Sequence, residues 1–161
     1  MRAPLPVRLR RAGILHPLWT IRYAKMHGVR LDVACAVLML ESGGGRNVFG
    51  HDPTIFVGYG EVTQAKYLAY RAARHRTGEL QGVGPMQLTS FSLQSEADAL
   101  GGCWKPKFNI AVGMHYLGEL IAAHPGNLHA GIAAYNGSGP AAAQYATHAL
   151  AVAARFATVI G

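Results

Sequence analysis

The stretch Asp32-Val33-Ala34-Cys35-Ala36-Val37-Leu38-Met39-Leu40-Glu41-Ser42-Gly43-Gly44-Gly45 decides how this chain is read. From Val33 to Leu40 every side chain is apolar, if the thiol of Cys35 is counted so, and a helix of that composition is buried on nearly all sides. Asp32 is expected to cap its start, and the three glycines to end it abruptly. Glu41 follows Val37 by four residues, Leu38 by three and Ala34 by seven, so its side chain extends an apolar face. A carboxyl group kept from water has its pKa raised toward about 6, holds a proton near neutral pH and can give it to a leaving oxygen. A lone glutamate at a helix end is ordinarily solvated, so this reading needs support from the rest of the chain.

Helices are expected on both sides of this segment. Leu18 to His27, after Pro17, reads as a helix closed by Gly28. Residues 46–60 suit short strands or an irregular loop. A basic helix runs from about Thr63 to Arg76, with Lys66, Arg71, Arg74 and Arg76 read as a solvated face. A short helix over 91–100 is stopped by Gly101-Gly102. Ile110, Met114, Leu117 and Ile121 then line one face of a helix ending at Pro125. Two more helices, about 127–135 and 141–158, complete a mainly α chain with a minor strand or loop insertion. Residues 1–15 are expected to form a basic, flexible arm, because Pro4 and Pro6 argue against regular structure, and 16–161 to form one catalytic domain.

The chain has 161 residues, a size typical of one domain. Half its residues are hydrophobic and 14% are charged, which excludes a disordered composition. Fifteen Lys and Arg against eight Asp and Glu leave a formal charge of +7, which suits a polyanionic partner such as nucleic acid or anionic cell wall. No secretory apolar core follows Arg2, Arg8, Arg10 and Arg11, so no signal peptide is expected. No membrane insertion is expected either, since Gly137, Pro140, Gln144 and His148 interrupt the alanine-rich tail. Cys35 and Cys103 do not make a disulfide framework and read as buried, reduced thiols.

Four motifs stand in order along the chain. Glu41-Ser42 is followed by Gly82-Val83-Gly84-Pro85-Met86-Gln87, then by Asn109-Ile110 with Gly113 and Tyr116-Leu117, then by Ala134-Tyr135-Asn136. Together they resemble the soluble lytic transglycosylase family over about residues 28–156. Arg46 to Asp52 and Gln81 to Thr89 further resemble catalytic domains of endolysins from phages of actinobacteria.

The resemblance implies a lysozyme-like fold of the goose-type or lytic transglycosylase kind. It also implies a cleft for alternating N-acetylglucosamine and N-acetylmuramic acid, with Glu41 as acid and base. The product would carry a 1,6-anhydromuramic end, and no cofactor or metal is needed. Gln87, with donors and an acceptor on one amide, suits holding a sugar N-acetyl group or orienting Glu41. Met86 is expected against a sugar ring, Tyr135 on the catalytic carboxyl group, and Asn136 tying the cleft wall to backbone. Ser42 is a supporting residue or only a helix cap. Three glycines stand where many members place an aromatic, so Phe49, Phe56 or Tyr59 would build that cleft wall. Pro85 likewise replaces a common aliphatic residue. A phage enzyme of this kind would stay in the host cytoplasm until a partner holin opened a route to the peptidoglycan, and a monomer is expected.

Several rivals share these residues. A hydrolytic lysozyme would need a second carboxylate, for which Asp52 is preferred over Glu61; Asp32 reads as a cap, and Glu79, Glu96, Asp98 and Glu119 as surface. A cysteine peptidase would use Cys35, and a zinc amidase would need paired ligands, of which His51-Asp52 is only a pair. A basic nucleic-acid-binding protein would explain the charge, but no binding motif accompanies it, so no nucleic-acid partner is expected.

Overall fold

The computed structural model describes residues 2–50 and 60–161. His51, Asp52, Ile55, Phe56, Val57 and Tyr59 lie outside the described residues. Eight helices occupy the described ones: α1 (Leu5–Arg11), α2 (Pro17–Met26), α3 (Leu31–Ser42), α4 (Gln64–Thr77), α5 (Phe91–Leu100), α6 (Pro106–Ala122), α7 (Leu128–Asn136) and α8 (Gly139–Ile160).

Helix α3 is central, with Val33 to Leu38 all at most 1% exposed. Burying side chains such as Val33, Val37 and Leu38 contributes about 1.5–3 kcal/mol each, and this offsets the cost of holding Glu41 away from water at the same helix's end. The helix stops at Gly43, whose left-handed φ of 65° returns its N–H to the Met39 carbonyl at 3.0 Å. Gly44 is required by a close approach as well, because a Cβ there would lie 2.0 Å from the Gly13 carbonyl oxygen. That approach lets the Leu15 N–H reach the Gly44 carbonyl at 2.9 Å, which fastens the N-terminal segment to the end of α3.

Helices α8 and α2 pack on α3, α7 bridges α8 and α6, and α6 in turn carries α2 and α5. The buried stripe of α8 is Ala142, Ala146, Ala149, Ala153 and Phe156. The four alanines bring its axis close to α3. On α6, Ile110, Met114 and Leu117 are fully buried, as the apolar spacing predicts. The 46–62 region contributes no extended strand among its described residues, only isolated antiparallel bridges from Val48 to Glu61 and Phe49 to Val83.

Two expectations are corrected here. Residues 1–15 are not a flexible arm through most of their length: Leu5–Arg11 is helical, and Leu9 and Ile14 are fully buried with Cys35 and Phe156. Pro4 and Pro6 mark the start of that helix, where no intrahelical N–H is needed. Arg2 and Arg8 hold it in place by donating to Thr158 at 2.9 Å and Ile160 at 3.0 Å, carbonyls at the negative end of α8. Asp32 does not cap α3 either. It sits in the first turn, paired with the Arg30 guanidinium and accepting from the Val33 N–H, while Arg30 occupies the capping position.

Candidate active site

Glu41 ends up partly buried at the last turn of α3 because its own face is apolar and α8 covers it. Burial pushes its carboxyl group above the ordinary glutamate range. A single described donor opposes that shift, the Tyr145 hydroxyl, which gives its proton to Oε1 at 2.6 Å. Tyr145 comes from α8 and is itself pushed far up by burial and by Glu41, so it remains a phenol able to donate. The acid is therefore held by one strong bond while burial favours its protonated form.

The turn over 82–88 faces this acid. Ser42, the neighbour of Glu41, is buried; its hydroxyl donates to the Pro85 carbonyl at 2.7 Å and accepts the Gly45 N–H at 3.0 Å. It thus fastens the turn to the end of α3. Asn109, fully buried on α6, braces the same turn by accepting the Met86 N–H at 2.9 Å and donating to the Val83 carbonyl at 2.8 Å. Met86 is fully buried against Gly113, so it cannot lie on a sugar ring as expected. Its backbone is what matters: the Met86 carbonyl accepts the Tyr135 hydroxyl at 2.7 Å. Tyr135 therefore braces the turn, and the tyrosine bonded to the Glu41 carboxyl group is Tyr145 instead.

Gln87 has φ +49°, unique among the described non-glycine residues. Such strain persists where surrounding bonds over-determine it. Here both amide hydrogens are used, Nε2 donating to the carbonyls of Val48 and Gly84 at 2.9 Å each. The amide oxygen lies over Gly50 and Gly82, in space that a Cβ at either would fill. It has no donor among the described residues. Gln87 therefore does not orient Glu41.

A cavity of about 230 Å³ joins these groups, lined by Glu41, Gly50, Gly82, Gln87, Thr89, Tyr135 and Asn136. Asn136 is exposed on its wall and makes no side-chain bond to backbone among the described residues, against expectation. No second carboxylate lines the cavity among the described residues; Asp52, the candidate for that role, lies outside them. Glu61, Glu79, Glu96 and Glu119 are exposed, and Asp32 is at the far end of α3. Asp98, expected on the surface, is partly buried and accepts from Tyr67, Arg71 and the Cys103 N–H.

The thiols of Cys35 and Cys103 are both free, buried and pushed up to about 12 by burial, which removes the thiolate a cysteine peptidase needs. Among the described residues, no group of three or more His, Cys, Asp or Glu is placed to hold a metal ion. No described helix is long and apolar enough to cross a membrane.

Tyr145 and Thr89 escaped the sequence reading. Thr89 carries no signal, being one exposed threonine after a motif. Tyr145 does carry one: it lies three residues after Ala142 and four before Ala149, on the edge of the buried stripe of α8. A tyrosine at such a place needs a partner for its hydroxyl.

A helical domain that raises one carboxyl group in a polar cleft, fastened there by a neighbouring turn, defines a lysozyme-like glycosidase. The chain belongs to the transglycosylase SLT domain family, whose model matches residues 19–149. It is accordingly an enzyme of the peptidoglycan lytic transglycosylase type. Comparison with curated proteins and with solved structures returned no match.

Proposed function

We propose that this protein is an endolysin-type enzyme that breaks the β-1,4 bond between N-acetylmuramic acid and N-acetylglucosamine and leaves a 1,6-anhydromuramic end, with Glu41 as acid and then base. The observation that carries the reading is the raised, Tyr145-bonded Glu41 in a cavity with no other described carboxylate. Glu41 gives its proton to the glycosidic oxygen, and the N-acetylglucosamine leaves as an alcohol. The carboxylate that remains takes the proton of the muramic C6 hydroxyl, whose oxygen closes on the anomeric carbon. No water is consumed, and Glu41 returns to its protonated form. The free amide oxygen of Gln87 suits an N-acetyl N–H, and the exposed amide of Asn136 suits a second sugar contact. The endolysin role, with a holin giving access to the wall, rests on the resemblance of residues 46–52 and 81–89 to phage enzymes.

Mass spectrometry of digested peptidoglycan tests the proposal. Muropeptides lighter by one water than hydrolysis products are expected, and Asp52→Asn is expected to slow the reaction only modestly. Reducing muramic ends throughout, with an Asp52→Asn variant as impaired as Glu41→Gln, would overturn it in favour of a hydrolase.

A further inference from the structure

Helix α4 was expected to present its cations to solvent, yet Arg74 is only 3% exposed. A guanidinium so buried normally meets a carboxylate, because an uncompensated charge away from water is costly. Arg74 has none among the described residues. Its Nη1 donates to Gln94 Oε1 at 2.6 Å, its Nε has no partner among the described residues, and the Phe91 ring lies 4.5 Å from Cζ. The nearest acid in the groove, Asp98, is committed to Arg71, to the Tyr67 hydroxyl and to the Cys103 N–H.

Arg74 opens onto a groove of about 460 Å³ between α4 and α5, where Arg71, His75, Phe91 and Ser95 form the walls. Two guanidiniums against one engaged carboxylate leave it positive. The exposed Phe91 ring meets Arg74 and, edge-on, His75 at 5.7 Å. The groove and the Glu41 cavity are linked by a short stretch of chain. Thr89 lines the Glu41 cavity and Phe91, two residues on, lines the groove, so the two are at most about 7 Å apart along the chain.

We propose that this groove is a subsite for the peptide stem of the glycan strand, with the Arg74 guanidinium receiving a stem carboxylate. The inference rests on the peptidoglycan reading above and deepens it. A muramic residue beside Thr89 projects its stem from the carboxyl end of its lactyl group, and three extended residues reach about 10 Å, enough to enter the groove. An anion there supplies the counter-charge that the fold omits, and the guanidinium suits a planar carboxylate. Substrates carrying stems are thereby held better than bare glycan.

The test uses Ser95→Glu, one turn from Phe91 on the same wall, which places a carboxylate opposite Arg74 without removing any existing bond. Cleavage is measured on strands with stems and on strands stripped of them by an amidase. A charge-assisted contact of this kind predicts that the wild type shows a KM about tenfold lower on stem-bearing strands, and that Ser95→Glu abolishes the difference with kcat unchanged. The variant is also expected to melt higher, since it satisfies Arg74 internally. Titration with an acid-terminated muramyl dipeptide, its amide and inorganic phosphate identifies the ligand: only the acid dipeptide is expected to bind the wild type, and not Ser95→Glu. Equal KM values on the two strands, indifference to Ser95→Glu, or phosphate binding as well as the dipeptide would overturn the proposal. Failure of the glycosidase reading is separable, because neither strand would then be cut while the titration still decided the groove.

Discussion

Removing the Tyr145 hydroxyl tests how the Glu41 carboxyl group is tuned for its proposed role as the acid. Tyr145→Phe leaves the ring packed in α8 and deletes one bond, the 2.6 Å donation to Glu41 Oε1. Hydrogen bonds to a charged group are worth about 1.5–3 kcal/mol, and each 1.36 kcal/mol is tenfold in rate. The bond favours the ionised form, so losing it leaves burial unopposed and moves the Glu41 carboxyl group further up. Two observables follow. The alkaline limb of kcat/KM, which reports ionisation of the acid in the free enzyme, shifts to higher pH. The rate falls by about ten- to a hundredfold, because a weaker acid protonates the leaving oxygen less readily and the carboxylate formed next has lost its donor. The assay is a pH series on a soluble glycan oligomer, with circular dichroism to show that α8 is intact. A folded variant with kcat within twofold of wild type and an unmoved alkaline limb would refute the argument and leave Tyr145 a packing residue.

Glu41→Gln is expected to lower wall lysis by at least about 10² to 10⁴, since the amide keeps the shape but gives no proton. It should also raise the melting temperature above the ordinary carboxylate range. The folded pKa of Glu41 is raised, so its contribution to stability is complete below the unfolded pKa and is lost as pH rises through the folded one. Thermal melts should show the gap closing as pH falls toward 4, and a variant less stable at pH 7 would contradict the burial argument. Gly113→Ala places a Cβ 2.4 Å from Met86 Cβ and Cγ, within the fastening of the 82–88 turn. Denaturant titration should find a loss of about 1–3 kcal/mol. Wall association, measured by co-sedimentation, should weaken as salt rises from 0.01 M to 0.15 M, where the Debye length falls from about 30 Å to about 8 Å. Cleavage of a short soluble glycan should change much less, and an equal loss on both would place the charge effect inside the site.

Much of this was legible in the chain because it is local. The apolar run of α3 and the glycines that stop it put Glu41 on a buried face by periodicity alone, and the spacing on α6 named Ile110, Met114 and Leu117 as core. The motif order likewise led to the family. Side-chain destinations across the fold were not legible. Residue type made Met86 a candidate for the sugar and Tyr135 for the acid, but the approach of Gly113 buries the first, and the Met86 carbonyl takes the hydroxyl of the second.

Tyr145, 104 positions from Glu41, meets it only because alanines let α8 settle against α3. The prolines of residues 4 and 6 were misread for the same reason: whether a short basic helix forms depends on the carbonyls at the far end of α8 that receive Arg2 and Arg8. Arg74 shows the limit most clearly. Its charge pattern along α4 reads as a solvated face, and only the approach of α5 to that face turns one cation inward with no carboxylate partner among the described residues. Periodicity determines which face of a helix is apolar; which polar groups are carried inside with it depends on what the neighbouring element leaves uncovered.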